Sequence, residues 1–253
     1  EGREDDEPLG WMIENRHIRV ALADGLRRAD VALFAPALVA SAAIGRAGAA
    51  VTLADGRILS APLVVGAEGR VSKVRDAAGI GTFGWSYPHA GVVATVALDT
   101  PHGDVARQVF MPSGPLAVLP LKGDRASLVW SEDPARAKAL VEGPEAAFES
   151  HLARRFGQAL GRPRLVGPRY SHPLSLQFAK AMVADRVALV GDSAHAVHPL
   201  AGQGLNMGLK DAAALAEVVC EAARLGEDWG SLVVLERYAR WRRFDAAGVA
   251  AST

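Results

Sequence analysis

The sequence predicts a mixed α/β fold in which an antiparallel sheet is inserted between two portions of a βα-type domain. Two compact apolar runs that end in glycine, Leu63-Val-Val-Gly66 and Arg186-Val-Ala-Leu-Val-Gly191, read as buried strands opening into loops. Between them, Gly91–Leu98, Arg107–Phe110, Leu116–Leu119 and Ala126–Trp130 are short apolar runs separated by Gly, Pro and Asp. That punctuation is the pattern of antiparallel strands. After the second glycine-ended run, a loop to Gly204 leads into a helical stretch over residues 206–225, which restores the βα order.

The remaining elements follow in order. Residues 18–26 have a helical look, with Val20, Ala21 and Leu22 apolar and Gly25 near the end. Val51 to Leu59 reads as a hairpin, because Asp55-Gly56 between apolar alternations favours a tight primed turn. Helices are expected over residues 134–140 and 144–156, each with proline near its start, where the missing N–H costs little. A last helix rich in Arg and aromatic residues is expected over 231–244. The expected division is 1–80, 81–180 for the inserted sheet and its helices, and 181–253.

Bulk composition excludes several functions. Lys+Arg and Asp+Glu both count 28, giving no net charge and no basic block for a polyanion, so no nucleic-acid partner is expected. The single Cys220 excludes an intramolecular disulfide and fits a reducing compartment; on its helix it reads as an inert core thiol. No apolar stretch reaches the roughly 18–20 residues of a spanning helix, and no segment reads as a signal peptide. A cytoplasmic location is the expectation.

The chemistry concentrates in Gly191-Asp-Ser-Ala-His-Ala-Val-His-Pro-Leu-Ala-Gly-Gln-Gly-Leu-Asn-Met-Gly208. It reads as a strand end, a carboxylate, a glycine-rich turn and a helix start. Ligands of open α/β sheets bind at the carboxyl ends of strands, where Asp192 should sit and accept hydrogen bonds from a diol. Gly202 and Gly204 let a flat or anionic ligand approach the backbone. The following helix start favours negative charge by about 0.3–1 kcal/mol. His195 and His198 stand three apart without a third ligand nearby, so no metal site is expected. Asp192, Ser193 and His195 are too close in sequence for a hydrolase triad, and no Gly-x-Ser-x-Gly elbow exists. Arg237, Arg240, Arg242 and Arg243 read as a solvated helix face.

This string resembles the flavin-ribityl motif of class A flavoprotein monooxygenases, and His198 to Asp211 resembles the ubiquinone-biosynthesis hydroxylase branch. Val65-Gly-Ala-Glu-Gly-Arg-Val-Ser-Lys-Val-Arg75 is similar to the family's second motif, near the flavin pyrophosphate and the nicotinamide path, with Glu68 where the family usually has Asp. On the residues alone, Ser72 and Arg75 read as a helix cap and a solvated cation or, equally, as ligand contacts. Phe110 to Leu121, with Trp130-Ser131, looks like the family's substrate-domain sheet.

The resemblance implies an incomplete FAD-binding Rossmann-like domain holding an inserted antiparallel-sheet substrate domain. The N-terminal Gly-x-Gly-x-x-Gly unit of such enzymes is not found here. FAD would be held by Glu68, Gly69, Arg75, Gly191, Asp192, Pro199, Gly202, Gln203, Gly204, Leu205 and Asn206. Phe110, Leu119 and Trp130 would line the substrate pocket. No side chain is expected to be catalytic, because the flavin carries the reaction. The implied reaction is hydroxylation of an aromatic ring of a polyprenylated phenol in ubiquinone biosynthesis. It would use NAD(P)H or another reductant and molecular oxygen, with peripheral contact to the inner face of the membrane or to a biosynthetic complex. Two alternatives stay open: a hydroxylase of small soluble aromatics, and an inactive flavoprotein fragment that acts only as a packing module.

Overall fold

A computed structural model of the chain describes residues 10–156, 161–197 and 202–251. In chain order the elements are α1 (Asn15–Arg28), β1 (Val39–Ile44), β2 (Ala49–Leu53), β3 (Ile58–Ala61), β4 (Val64–Gly66) and α2 (Lys73–Ala77). β5 (Thr82–Ala97), β6 (Arg107–Met111), β7 (Gly114–Leu121), β8 (Arg125–Glu132), α3 (Pro134–Glu142) and α4 (Glu145–Phe156) follow. The chain ends with β9 (Arg164–Leu165), β10 (Tyr170–Ala179), β11 (Val183–Ala184), β12 (Val187–Leu189), β13 (His195–Ala196), α5 (Gln203–Arg224) and α6 (Leu232–Ala251). Two compact units emerge. One takes residues up to Leu33 together with Pro88–Pro173, and the other takes Phe34–Tyr87 and the chain from Leu174 onward. The sequence-expected borders stood at 80/81 and 180/181, and residues up to Leu33 group with the inserted sheet.

In the first unit, β6, β7, β8 and the second half of β5 form an antiparallel sheet. Register aligns Val92, Trp130 and Leu116 in one row and Ala94, Leu128 and Val118 in the next. Strand alternation turns these residues to one face, where they are buried with Ala137 and Leu140 of α3 and Phe148 and Leu152 of α4. The helices start where the sequence says. Asp133 Oδ1 accepts from the Ala135 and Arg136 N–H groups at 2.9 and 3.4 Å, and Pro134 occupies the first turn. None of α1 is buried among the described residues.

In the second unit, β4 and β12 pair in parallel, with Val64 opposite Val187 and Gly66 opposite Leu189, and β11 pairs antiparallel on the far side of β12. β12 is buried on both faces, which is why its sequence is continuously apolar. Ala188 packs toward Leu215, Val218, Leu235 and Tyr238 of α5 and α6. Val187 and Leu189 pack on the opposite side with Val74 and Ile80, around α2. Gly66 is required by this packing, since a Cβ there would stand 2.8 Å from Leu189 Cδ2.

β1, β2 and β3 form a separate antiparallel sheet. The β2–β3 turn differs from the expected tight primed turn. Leu53 O accepts from Gly56 N–H at 3.0 Å, the Leu53 N–H donates to Arg57 O at 2.8 Å, and only Gly56 has positive φ, at 87°. That is a three-residue turn with glycine at the bulge position; Asp55, which a primed turn would also need at positive φ, stays in ordinary space. Gly56→Ala should therefore cost about 1–2 kcal/mol, read as a lower urea midpoint with an unchanged m-value.

Candidate functional site

The site is built where β12 and its parallel neighbour β4 end, within the second unit. The strand direction of β12 continues through Val190, whose N–H donates to Gly66 O at 3.0 Å. Gly191 then turns at φ 58°, and Gly191–Ser193 forms a single 3-10 turn that presents Asp192. The Asp192 carboxylate is 48% exposed, and its one ion pair among the described residues is the Arg70 Nε at 4.0 Å. Arg70 itself is anchored by Ser175, through its Oγ and, at 3.3 Å, its carbonyl. The Gln177 side chain donates to Arg70 O at 3.0 Å.

Buried hydrogen bonds clamp the two glycine loops together. Ser193 Oγ donates to Gly69 O at 3.1 Å, and Arg75 Nη1 donates to Ser193 O at 3.2 Å. Both side chains are buried, so Arg75 is neither solvated nor available as a surface cation. Ser72 caps α2, accepting from Arg75 N–H at 3.1 Å. Glu68 completes that cap. Its carboxylate accepts from Ser72 Oγ at 2.6 Å, Val74 N–H at 3.0 Å and Lys73 N–H at 3.3 Å. The longer side chain thus reaches the helix start, where a carboxylate is favoured. Glu68→Ala should lower stability by about 1 kcal/mol and Glu68→Gln by less, as urea melts of the three proteins would show.

Behind the Asp192 turn lies a network that sequence reasoning missed. Asp211 of α5 is fully buried and accepts from the Gly191 N–H at 2.9 Å and from Arg242 Nε of α6 at 2.7 Å. His195 Nε2 of β13 stands 2.8 Å from Oδ2, the oxygen that accepts from Gly191, and Arg242 takes Oδ1. Burial works to raise the Asp211 carboxyl, but His195, Arg242 and the Gly191 N–H together hold it below the ordinary carboxylate range. Tyr238 adds a hydroxyl bond to Leu189 O at 2.7 Å, and burial together with the nearby Asp211 charge drives its phenol strongly upward. Two groups of one helix, Tyr238 and Arg242, therefore brace the strand end and the turn that carries Asp192.

These contacts correct two expectations. Arg242 is 2% exposed and ion-paired in the interior, because it continues the buried stripe of Leu235, Tyr238 and Ala239 at helical spacing. Arg237 closes a two-bond fork on Glu227, both at 2.7 Å, and of the four arginines Arg240 and Arg243 are exposed. Cys220 is exposed, since the buried face of α5 runs through Asp211, Ala214, Leu215, Val218 and Ala222. The histidine of the turn faces Asp211 while Ser193 Oγ is spent on Gly69, so the apparent triad residues do not form a nucleophile array.

The helix α5 starts immediately beyond. Gly202 is its cap at φ 63° and has no side chain to offer, so among the described residues no side chain is seen to cap the first N–H groups of the helix. A Cβ on Gly208 would stand 3.3 Å from Gly191 Cα, so glycine at both positions lets the helix lie against the Asp192 turn. A Cβ on Gly202 or Gly204 would meet nothing within 4 Å. Gly204 is thus demanded neither by φ nor by packing, which fits a position reserved for a group that approaches the backbone. Leu205 and Asn206 are exposed on the first turn. Pro199 and His198 lie outside the described residues.

In the first unit the three expected substrate residues separate. Phe110 pairs with Pro115, and Leu119 with Ser127, which places them on the face of the sheet that α3 and α4 do not cover. Phe110 is 75% exposed and Leu119 is half-buried. Trp130 faces the helices, 1% exposed against Phe148. Among the described residues no group of three or more His, Cys, Asp and Glu is placed to hold a metal ion. No helix among them is long and apolar enough to cross a membrane.

A carboxylate turn at a parallel strand end, a second glycine loop clamped beside it and a helix start led by glycine define a nucleotide-cofactor site of the α/β type. The chain belongs to the FAD-binding domain family, whose model matches residues 44–252, and FAD is the cofactor of that family. It is 46% identical over 239 residues to the ubiquinone hydroxylase UbiL of Rhodospirillum rubrum, covering 94% of this chain and 56% of the relative. It is 38% identical over 240 residues to the 3-demethoxyubiquinol 3-hydroxylase of Escherichia coli, covering 94% and 61%. Among solved structures it is similar to the p-nitrophenol 4-monooxygenase PnpA of Pseudomonas putida DLL-E4. The TM-score is 0.73 at 25% identity, over 90% of this chain and 58% of that one. The chain thus spans 56% and 61% of the length of the two hydroxylases.

Proposed function

We propose that this chain is part of an FAD-dependent monooxygenase that hydroxylates an aromatic ring of a polyprenylated phenol in ubiquinone biosynthesis. The observation that carries the reading is the clamped pair of loops at the ends of β4 and β12, beside the glycine-led start of α5. Support for the substrate comes from the relatives named above, which are ubiquinone-pathway hydroxylases at 38–46% identity.

When bound, FAD supplies the oxygen chemistry after reduction by NAD(P)H or another reductant. The residues described here bind and orient. Asp192 would accept hydrogen bonds from the hydroxyls of the flavin's sugar-like chain, with Arg70 beside it at 4.0 Å. The backbone N–H groups of Gln203, Gly204, Leu205 and Asn206 would face the electron-rich edge of the ring, beside the turns at Gly191 and Gly202. Glu68, Gly69 and Arg75 serve by position: their bonds to α2 and to Ser193 hold the second loop. Phe110 and Leu119 share one open sheet face suited to an apolar ring, while Trp130 belongs to the core of the opposite face. A substrate with a prenyl tail implies contact with the membrane surface or with a biosynthetic complex.

The test is oxygen-dependent turnover of a polyprenylated phenol beside its short-chain analogue, read by mass spectrometry as gain of one oxygen atom. Preferential conversion of the prenylated phenol is expected. Turnover of the short-chain compound alone would assign the enzyme to small soluble aromatics, and flavin binding without turnover of either would overturn the hydroxylase reading.

A further inference from the structure

The first unit contains a second cavity, of about 440 Å³, on the helix-covered side of its sheet. That volume lies within the ordinary range of small-molecule sites. Phe148, Leu140 and Trp130 are the large apolar residues of its lining. Ala139 of α3 and Ala147 of α4, both exposed, leave the gap between the helices open.

The rim is charged in an unusual way. Glu132 is 1% exposed, yet every contact to its carboxylate is long: Ser113 Oγ and the Asp133 N–H at 3.3 Å, Arg155 Nη2 at 3.5 Å and Arg136 Nη1 at 3.7 Å. Other ion pairs of this chain that are as long, at 3.9–4.0 Å, include ones on exposed side chains, whereas two arginine forks close far more tightly. Arg237–Glu227 and Arg186–Asp228 are two-bond forks at 2.6–2.7 Å. A buried carboxylate is costly unless tightly paired, and a guanidinium offers five donors in a fixed fork. Arg155 is meanwhile seated over the Trp130 ring, 4.5 Å from its centroid, and Arg136 is 70% exposed at the mouth. Two guanidinium groups thus flank one carboxylate without closing on it, and His151 stands on the same rim. The rim carries one net positive charge from these three ionised groups, beside an apolar lining.

We propose that this cavity binds an amphipathic organic anion, with a carboxylate or comparable head held by Arg136 and Arg155 and a flat apolar body against Phe148 and Leu140. The site is separate from the loops that hold the flavin in the reading above, and it does not depend on that reading. The ligand chemistry is that of an aromatic or short acyl carboxylate, whether metabolite or lipid fragment. Either source presents the same head and body to the rim.

Calorimetric titration of the chain with 2-naphthoate, and with the neutral 2-naphthalenemethanol as its match, tests the assignment. Saturable 1:1 binding of the acid is expected, at least tenfold tighter than the alcohol. Ala147→Trp, a change on an exposed helix position, fills the gap and should abolish binding while leaving the thermal midpoint near that of the parent. Arg136→Gln should weaken binding of the acid about tenfold and leave the alcohol unchanged. Absence of binding, equal affinity for acid and alcohol, or binding indifferent to Ala147→Trp would each overturn the proposal. Octanoate in place of naphthoate distinguishes the body: comparable affinity supports an acyl source, and a marked preference for naphthoate supports an aromatic one.

Discussion

Asp211→Ala should lower folding stability by about 3–5 kcal/mol at neutral pH, the usual cost of removing one partner from a buried ion pair. Arg242 and His195 both face this carboxylate from the interior, and the Gly191 N–H loses its acceptor at the same time. Asp211→Asn keeps the shape and loses the charge, so it should fall between the parent and the alanine variant. The pH dependence has a definite sign. The folded carboxyl lies below its ordinary value of about 3.9. The ionised group therefore contributes stability that is fully present above that value and is lost as pH falls through the folded pKa. The gap between parent and Asp211→Asn, measured by urea unfolding, should accordingly shrink as the pH is taken below about 4. A loss under about 1 kcal/mol at neutral pH, the range of an exposed pair, would mean the network does not brace the fold.

Asp192→Ala should do the reverse, leaving stability almost untouched and weakening FAD. Its carboxylate is half exposed and its nearest cation stands at 4.0 Å, so the fold loses little. Hydrogen bonds to a charged acceptor contribute about 1.5–3 kcal/mol each, so loss of even one predicts a fall in FAD affinity of roughly 10- to 150-fold. Fluorescence titration of parent and variant, with urea midpoints measured beside it, separates the two effects. Equal affinity for FAD in both proteins would remove Asp192 from the site.

Much of this architecture was legible in the residues. β12 announces itself because both its faces are buried, which leaves no polar alternation in Val187-Ala188-Leu189, and β4 is equally apolar although Val65 is 42% exposed. The start of α3 was readable from Pro134, while α5 begins at Gln203, three residues before the expected start at 206. Register was not readable. Whether Leu119 of β7 and Trp130 of β8 share a face depends on which β7 residue Trp130 opposes, and its pairing with Leu116 puts the two on opposite faces. β13, two residues long, carries no periodicity at all, so the placement of His195 against Asp211 could not be inferred. Arg242 is different. The stripe Leu235, Tyr238, Ala239, Arg242 was present at helical spacing, and the neighbouring Arg240 and Arg243 hid it by making the segment look uniformly solvated.

Amide hydrogen exchange on the chain with and without FAD bears most directly on the site. If the clamped loops and the start of α5 hold the cofactor, FAD should slow exchange in peptides covering 66–70, 190–194 and 202–206, with little change in β6 to β8. Protection confined to other segments, or FAD binding that leaves those three peptides unchanged, would contradict the assignment.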